Sequence, residues 1–191
     1  MTRPDPTLLV DVVSATVLDA LKLASEALTL AHVRHVVVGG LAVGANGYPR
    51  ATRDVDFLVG AEAFHYHASG LVTMRPEIPF QVNGVAVDLL SPETHEPFLE
   101  ATLSAPPGSM MEAAPLVYMK LKSPRRKDHV DVIEMIKGGI DTKTCRDYLA
   151  AHAPSFVDAF DECVEQADEG AEVRAGAGKL EVALPEKPRG P

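Results

Sequence analysis

Apolar positions recur along this chain with a helical period, then a strand period, then a helical period again. Residues 8–31 place Val12, Ala15, Leu18, Leu21, Leu23 and Leu28 near helical spacing, with polar residues between them. That pattern predicts an amphipathic helix lying on the core. The run Val33–Val38 is short and rich in β-branched residues, and Gly39 and Gly40 end it, so it reads as a central strand. A short helix is expected over 41–47, closed by Gly47.

A second strand is expected over 55–59, with Asp54 and Asp56 on one face and Val55 and Phe57 on the other. A short helix is predicted over 61–68 and further strands over 71–74, 80–82 and 85–90. Asn83-Gly84 between the last two is a strong hairpin signal. Beyond residue 93 the period is helical: 94–102, 114–122, 126–137, 142–151 and 155–167. The loop Ser104–Met110 separates the strand-rich half from the helical half. From about Asp168 the chain turns to Gly, Ala, Glu and Pro, which reads as a mostly disordered tail. The predicted fold is α/β in the α+β sense, a small mixed sheet with flanking helices and a helical C-terminal subdomain. Three units follow: a core with its N-terminal helix over 1–105, a helical subdomain over 106–167, and a tail over 168–191.

Composition narrows this without redirecting it. The 191 residues suit one domain with a real core, and 46% hydrophobic with 24% charged residues is ordinary for a globular chain. No apolar run approaches the roughly 20 residues that span a bilayer, and the N-terminus lacks a small-residue cleavage site, so a cytoplasmic location without membrane contact is expected. Cys145 and Cys163 lack zinc spacing and read as free thiols, and the seven histidines form no metal motif, His65 and His67 being read as the exposed part of a short helix. A net charge of −9 argues against broad adhesion to nucleic acid, yet Lys120, Lys122, Arg125, Arg126 and Lys127 cluster into a local basic site.

The chemistry concentrates between residues 39 and 88. A glycine pair opening a helix lets a ligand approach the backbone closely, where free N–H groups favour an anion such as the phosphates of a nucleoside triphosphate. Two carboxylates on one strand face repel each other unless a cation lies between them, and a hard oxygen set suits Mg²⁺, with Mn²⁺ as an alternative. Asp88 is centred in an apolar strand, where an isolated buried carboxylate is costly. Beside Asp54 and Asp56 it would complete a two-metal site and serve as base for an attacking hydroxyl.

The order Gly39-Gly40, then Arg50-Ala-Thr52-Arg53-Asp54-Val-Asp56, then Val87-Asp88-Leu89 resembles the nucleotidyltransferase superfamily of the DNA polymerase β type. More narrowly, the second motif is similar to the R-x-T-x-D-h-D signature of the AbiEii-like branch, which includes toxins of type IV toxin–antitoxin systems. The segment from Leu116 to Ile136 resembles that branch's helical block. The resemblance covers roughly residues 33–137. It implies that Asp54 and Asp56 bind metal, that Asp88 is the third carboxylate, and that Gly39 and Gly40 contact nucleotide phosphates. Lys120 matches the lysine of the block, implied to contact phosphate, and Asp128 or Asp131 its final acid. Arg50, Thr52 and Arg53, with Arg126, Lys127, Asp128 and Asp131, complete the expected nucleotide-binding set. Arg50 and Arg53 could equally pair with Asp54 or Asp56 and serve only structure. Many superfamily members carry Gly-Ser where this chain has Gly39-Gly40, so a phosphate-binding hydroxyl is absent there.

The reaction so implied is transfer of NMP from an NTP to a hydroxyl of tRNA or protein, releasing pyrophosphate, in a chain that could act as a toxin with an antitoxin partner. Two alternatives stand beside it. A small-molecule acceptor of the aminoglycoside kind predicts that Glu93, Glu96 or Glu100 lines the cleft, and a non-catalytic nucleotide sensor keeps the fold without the chemistry. Leu149, Phe156, Val157 and Phe160 suggest a surface for dimerisation or antitoxin docking, or else the completion of the core.

Overall fold

A computed structural model describes residues 3–177. Seven helices and six strands lie in it: α1 Ala15–Leu30, β1 His35–Val37, α2 Gly39–Ala45, β2 Asp54–Val59, β3 Phe64–Tyr66, β4 Val72–Met74, β5 Gln81–Val82, β6 Val85–Leu90, α3 Pro97–Glu100, α4 Ala113–Lys122, α5 Arg126–Lys137, α6 Thr142–His152 and α7 Val157–Ala177. The fold is α+β. A four-stranded mixed sheet runs in the order β1-β2-β6-β5, and β3 and β4 form a separate two-stranded ribbon. Neighbouring β2 and β6 are parallel, while β1 with β2 and β5 with β6 are antiparallel.

Alternation along the strands creates two cores. Val55, Phe57 and Val59 of β2, with Val85 and Val87 of β6, pack against Val17, Ala20, Ala24 and Leu28 of α1. Leu58 and the β1 residue Val36 face the opposite way and join Leu116, Val117 and Leu121 of α4, Val132 and Met135 of α5, and Phe160 of α7. The sheet is therefore covered on one face by α1 and on the other by the helical half. That second face also carries Asp54 and Asp56, because they share parity with Leu58.

Several expected elements differ in detail. The helix expected over 8–31 is broken: Asp11 takes a left-handed conformation, φ 73°, which cannot continue a helix, so a 3₁₀ turn at Pro6–Leu9 precedes α1. The helix predicted over 61–68 is a 3₁₀ turn at Ala61–Ala63 followed by β3. The aromatic residues Phe64 and Tyr66 favour strand, and pairing with Met74 and Val72 decides the matter, so His65 and His67 belong to the ribbon rather than to a helix. The hairpin at Asn83-Gly84 forms as expected, both residues having positive φ, as a two-residue type I′ turn requires.

Downstream, α7 continues to Ala177 rather than ending near Asp168. Its buried residues Phe160, Cys163 and Ala167 give it a core to run along, and an Ala- and Glu-rich continuation has good helix propensity despite its glycines. Residues 178–191 of the tail predicted to be disordered lie outside the described residues. Leu149 and Phe160 are fully buried, and Phe156 and Val157 pack half-buried on the same core, so these four complete the monomer and supply no docking face. Cys145 and Cys163 are free and buried, and burial pushes the Cys145 thiol up to about 12. No helix among the described residues is long and apolar enough to cross a membrane.

Candidate functional site

Parallel pairing of β2 with β6 sets Asp56 directly opposite Asp88, and Asp54 opposite Ala86. Each strand brings its acid to the same sheet face, and the three carboxylates of Asp54, Asp56 and Asp88 each offer an oxygen within 4.8 Å of the others. None of the three is in an ion pair among the described residues. Asp54 and Asp88 are exposed and Asp56 is half-buried, so Asp88 is not the buried carboxylate expected from its apolar neighbours. β6 lies between β2 and β5, and along it Val87 points into the core with α1 while Asp88 is exposed on the opposite face.

Burial pushes the Asp56 carboxyl above its usual range, and the negative charges of Asp54 and Asp88 add to the shift. The Lys120 charge and the Gly40 N–H oppose it. Three acidic oxygens gathered this closely, without a side-chain cation paired to them among the described residues, are a set that could hold a metal ion.

The glycine pair is explained by this carboxylate. Gly39 has φ 60°, and a Cβ there would lie inside the Asp56 carboxyl group. Gly39 therefore lets the backbone entering α2 run directly against Asp56. A side chain at residue 40 would meet the Thr52 hydroxyl at 2.7 Å, and that hydroxyl donates to Asp54 at 2.7 Å. Gly40 thus leaves room for the Thr52 hydroxyl beside Asp54.

The remaining expected residues divide into two groups. Lys120, Asp128, Asp131 and Arg50 are drawn together into one buried ionic network. Lys120 is 7% exposed and donates to Asp128 at 2.7 Å and Asp131 at 2.9 Å. Arg50 grips both oxygens of Asp131 at 2.9 Å, while Ser123 and Arg125 donate to Asp128 at 2.6 and 2.7 Å. Burial alone would raise the Asp128 carboxyl, yet the donors from Lys120 and Ser123 hold it below its usual range. Both acids thus have the same structural part, as anchors joining α4, α5 and the loop before β2. Arg53, Arg126 and Lys127 form the second group, exposed and without an ion-pair partner among the described residues.

Beside the carboxylates the sheet face continues into a cavity of about 470 Å³. Leu58 and Leu90 are register partners two residues beyond Asp56 and Asp88, about 7 Å further along the strands. They form the floor, with Leu99 of α3 and Leu116 and Met119 of α4 as walls. Asp56, Gly39 and Lys120 line one part of it, and Glu93, Glu96 and Lys122 another. Of the acids expected at a cleft, Glu93 and Glu96 line this cavity, each with Lys122 as partner, and Glu100 instead pairs with Arg34 at 2.8 Å.

The pairing of Glu96 with Tyr118 and Lys122 was not legible in the sequence. Glu96 is 2% exposed and accepts from the Tyr118 hydroxyl and the Lys122 ammonium, both at 2.6 Å, and from the Glu93 N–H at 2.8 Å. Burial works to raise its carboxyl, but the Lys122 and Tyr118 donors hold it below its usual range. The partners lie 22 and 26 residues apart, so only the helical half folding onto the end of β6 unites them. No protein-family model and no curated protein matches this chain.

Proposed function

We propose that this chain is a metal-dependent nucleotidyltransferase that moves NMP from an NTP to an acceptor hydroxyl. The observation that carries this reading is the continuity of one sheet face, from a three-carboxylate cluster to an apolar-floored cavity about 7 Å further on. A ligand matching both halves has a metal-binding oligoanion joined to a flat, largely apolar group. A nucleoside triphosphate has that form, and cavities of this size suit ligands of that class.

Asp54, Asp56 and Asp88 would hold Mg²⁺, most simply as two ions, which when bound neutralise the triphosphate and the developing charge on pyrophosphate. Asp88, exposed toward solvent, accepts the proton of the acceptor hydroxyl. The hydroxyl oxygen bonds to the α-phosphorus as the bond to the β-phosphate oxygen breaks, and pyrophosphate carries away the electron pair. Thr52 orients Asp54, and Gly39 gives Asp56 its room. Lys120 acts through its field on Asp56 and by holding α5 in place. Arg53, Arg126 and Lys127, exposed and without an ion-pair partner among the described residues, would be cations for an anionic substrate.

The acceptor we favour is a hydroxyl of tRNA or protein, as the resemblance of the motifs implies, with an antitoxin as a partner if growth arrest is the outcome. A cationic small molecule is the weaker choice, because Lys122 and Arg34 already neutralise the acids that would attract it. The test is incubation with each α-³²P-labelled NTP, Mg²⁺ and either total RNA or total protein. Transfer of label by the wild type, and none by the Asp54→Ala/Asp56→Ala double variant, is the expected result. Absence of transfer to any acceptor, with no metal-dependent nucleotide binding, would end this reading.

A further inference from the structure

We infer that Lys122, held by buried Glu96, is the side chain that hydrogen-bonds the nucleobase of the bound nucleotide. This rests on the reading of the cavity as a nucleotide site and assigns its recognition end. On α4, Lys120 and Lys122 are two residues apart, hence about 200° apart around the helix. Lys120 turns toward α5 and exerts its field on Asp56, whereas Lys122 turns toward the segment that follows β6. A triphosphate anchored at Asp56 and Asp88 sends its nucleoside over Leu58 and Leu90, and three residues past Leu90 comes Glu93, bonded to Lys122.

The two lysines also differ in what they can still do. The Lys120 side chain is 9% exposed and shared between two buried acids, while that of Lys122 is 36% exposed. Lys122 uses two of its three N–H donors, one on buried Glu96 and one on Glu93. The Glu93 pair is a surface contact, which is weak and exchangeable. The Glu96 pair is not: Glu96 has its lone pairs engaged from three sides, which fixes the ammonium at the cavity wall.

A purely structural role would be to clip the segment before α3 onto α4. The Tyr118–Glu96 hydrogen bond, deeper and neutral on one side, already does this. The further presence of a half-accessible ammonium at an apolar cavity suits a neutral planar ligand with ring-nitrogen or carbonyl acceptors at its edge, which is what a nucleobase offers. Glu96 is then a positioning residue for Lys122.

The experiment is calorimetric titration of the full chain in Mg²⁺ with each of the four NTPs and with inorganic tripolyphosphate, which shares the anchor and lacks the base. Lys122→Met, which keeps the apolar stem, should weaken the preferred NTP about 10-fold, the size of one hydrogen bond, and narrow the preference among the four. Tripolyphosphate binding should stay within about 2-fold, and Lys122→Arg should recover most of the loss. Glu96→Gln, which keeps the Tyr118 bond, should fall between. Equal weakening of NTP and tripolyphosphate, or an unchanged Lys122→Met, overturns the assignment. Wild type that binds tripolyphosphate no more weakly than any NTP also overturns it, while leaving the metal site standing. Wild type that binds neither probe overturns the nucleotide reading itself, and the assignment falls with it.

Discussion

Asp56 and Asp88 are register partners across the parallel pair β2 and β6, so two acids 32 positions apart in sequence share one point on a sheet face. Burial of Asp56, and then the like charges of Asp54 and Asp88, raise its proton affinity. A folded carboxyl raised above its unfolded value stabilises the fold below the unfolded value and loses that contribution as pH rises through the folded one. At neutral pH the cluster therefore carries a like-charge strain, which a bound cation would relieve. Mg²⁺ or Mn²⁺ should raise the melting temperature, and Asp56→Asn should raise it without metal, by about 2–4 °C for each kcal/mol, while abolishing the response to metal. Thermal scans with and without metal decide this; an equal metal response in wild type and variant would count against the cluster as a metal site.

Gly39 makes a sharper test, because it separates conformational freedom from contact. Gly39→Ala adds a Cβ where the Asp56 carboxyl lies and at φ 60° besides. It should cost about 1–3 kcal/mol and remove the metal response. Gly84→Ala has the same kind of backbone penalty, at φ 80°, with nothing within 4 Å of the new atom. That control should lose stability and keep the metal response. Loss of response in both variants would show that the effect is general destabilisation.

Lys120 is the residue at which loss of activity is most easily misread. Lys120→Met removes the ammonium shared by two acids that are each 1% exposed. Asp131 keeps Arg50, but Asp128 keeps only Ser123 and the largely exposed Arg125. A loss of about 3 kcal/mol is expected, read as a lower urea midpoint with unchanged slope. Stability within about 0.5 kcal/mol of wild type would free Lys120 for a role at the ligand alone.

His35 supplies a pH dependence remote from the site. It is 1% exposed, its Nδ1 lies 2.9 Å from the Val33 carbonyl and its Nε2 2.7 Å from the Ser25 hydroxyl. The carbonyl can only accept, so the neutral ring donates from Nδ1 and accepts Ser25 at Nε2. Burial depresses its pKa, against the opposing effect of the Val33 carbonyl. A depressed folded value means that stability is full above the unfolded value of about 6.5 and declines as pH falls below it. Unfolding free energies from pH 8 to pH 5 should show that decline, and His35→Gln should flatten it.

The local features were legible in the sequence because short-range physics decides them. Two-residue alternation put Asp54 and Asp56 on one face, the Asn83-Gly84 pair demanded a tight hairpin, and the apolar periods of α4, α5 and α6 marked helices at nearly their observed ends. Where local signals competed, as over 61–68, a tertiary partner chose: β4 claimed Phe64–Tyr66 for a strand. Residue types alone did not reveal that Asp88 faces solvent or that Lys120 is engaged by Asp128 and Asp131 rather than free. Both depend on which face a covering element leaves open.

By itself, then, the chain's pattern determined the mixed α+β architecture and the presence of paired carboxylates after a glycine pair, since periodicity and turn chemistry act within a few residues. Only the tertiary structure decided which charges are available. The parallel register of β2 and β6 gathers three acids, and docking of α4 and α5 neutralises Lys120, Arg50, Asp128 and Asp131 among themselves. The same docking leaves Lys122 at the wall of an apolar cavity. Ion pairing in a buried site requires partners from distant segments with matched desolvation, and no local pattern in a sequence encodes that match.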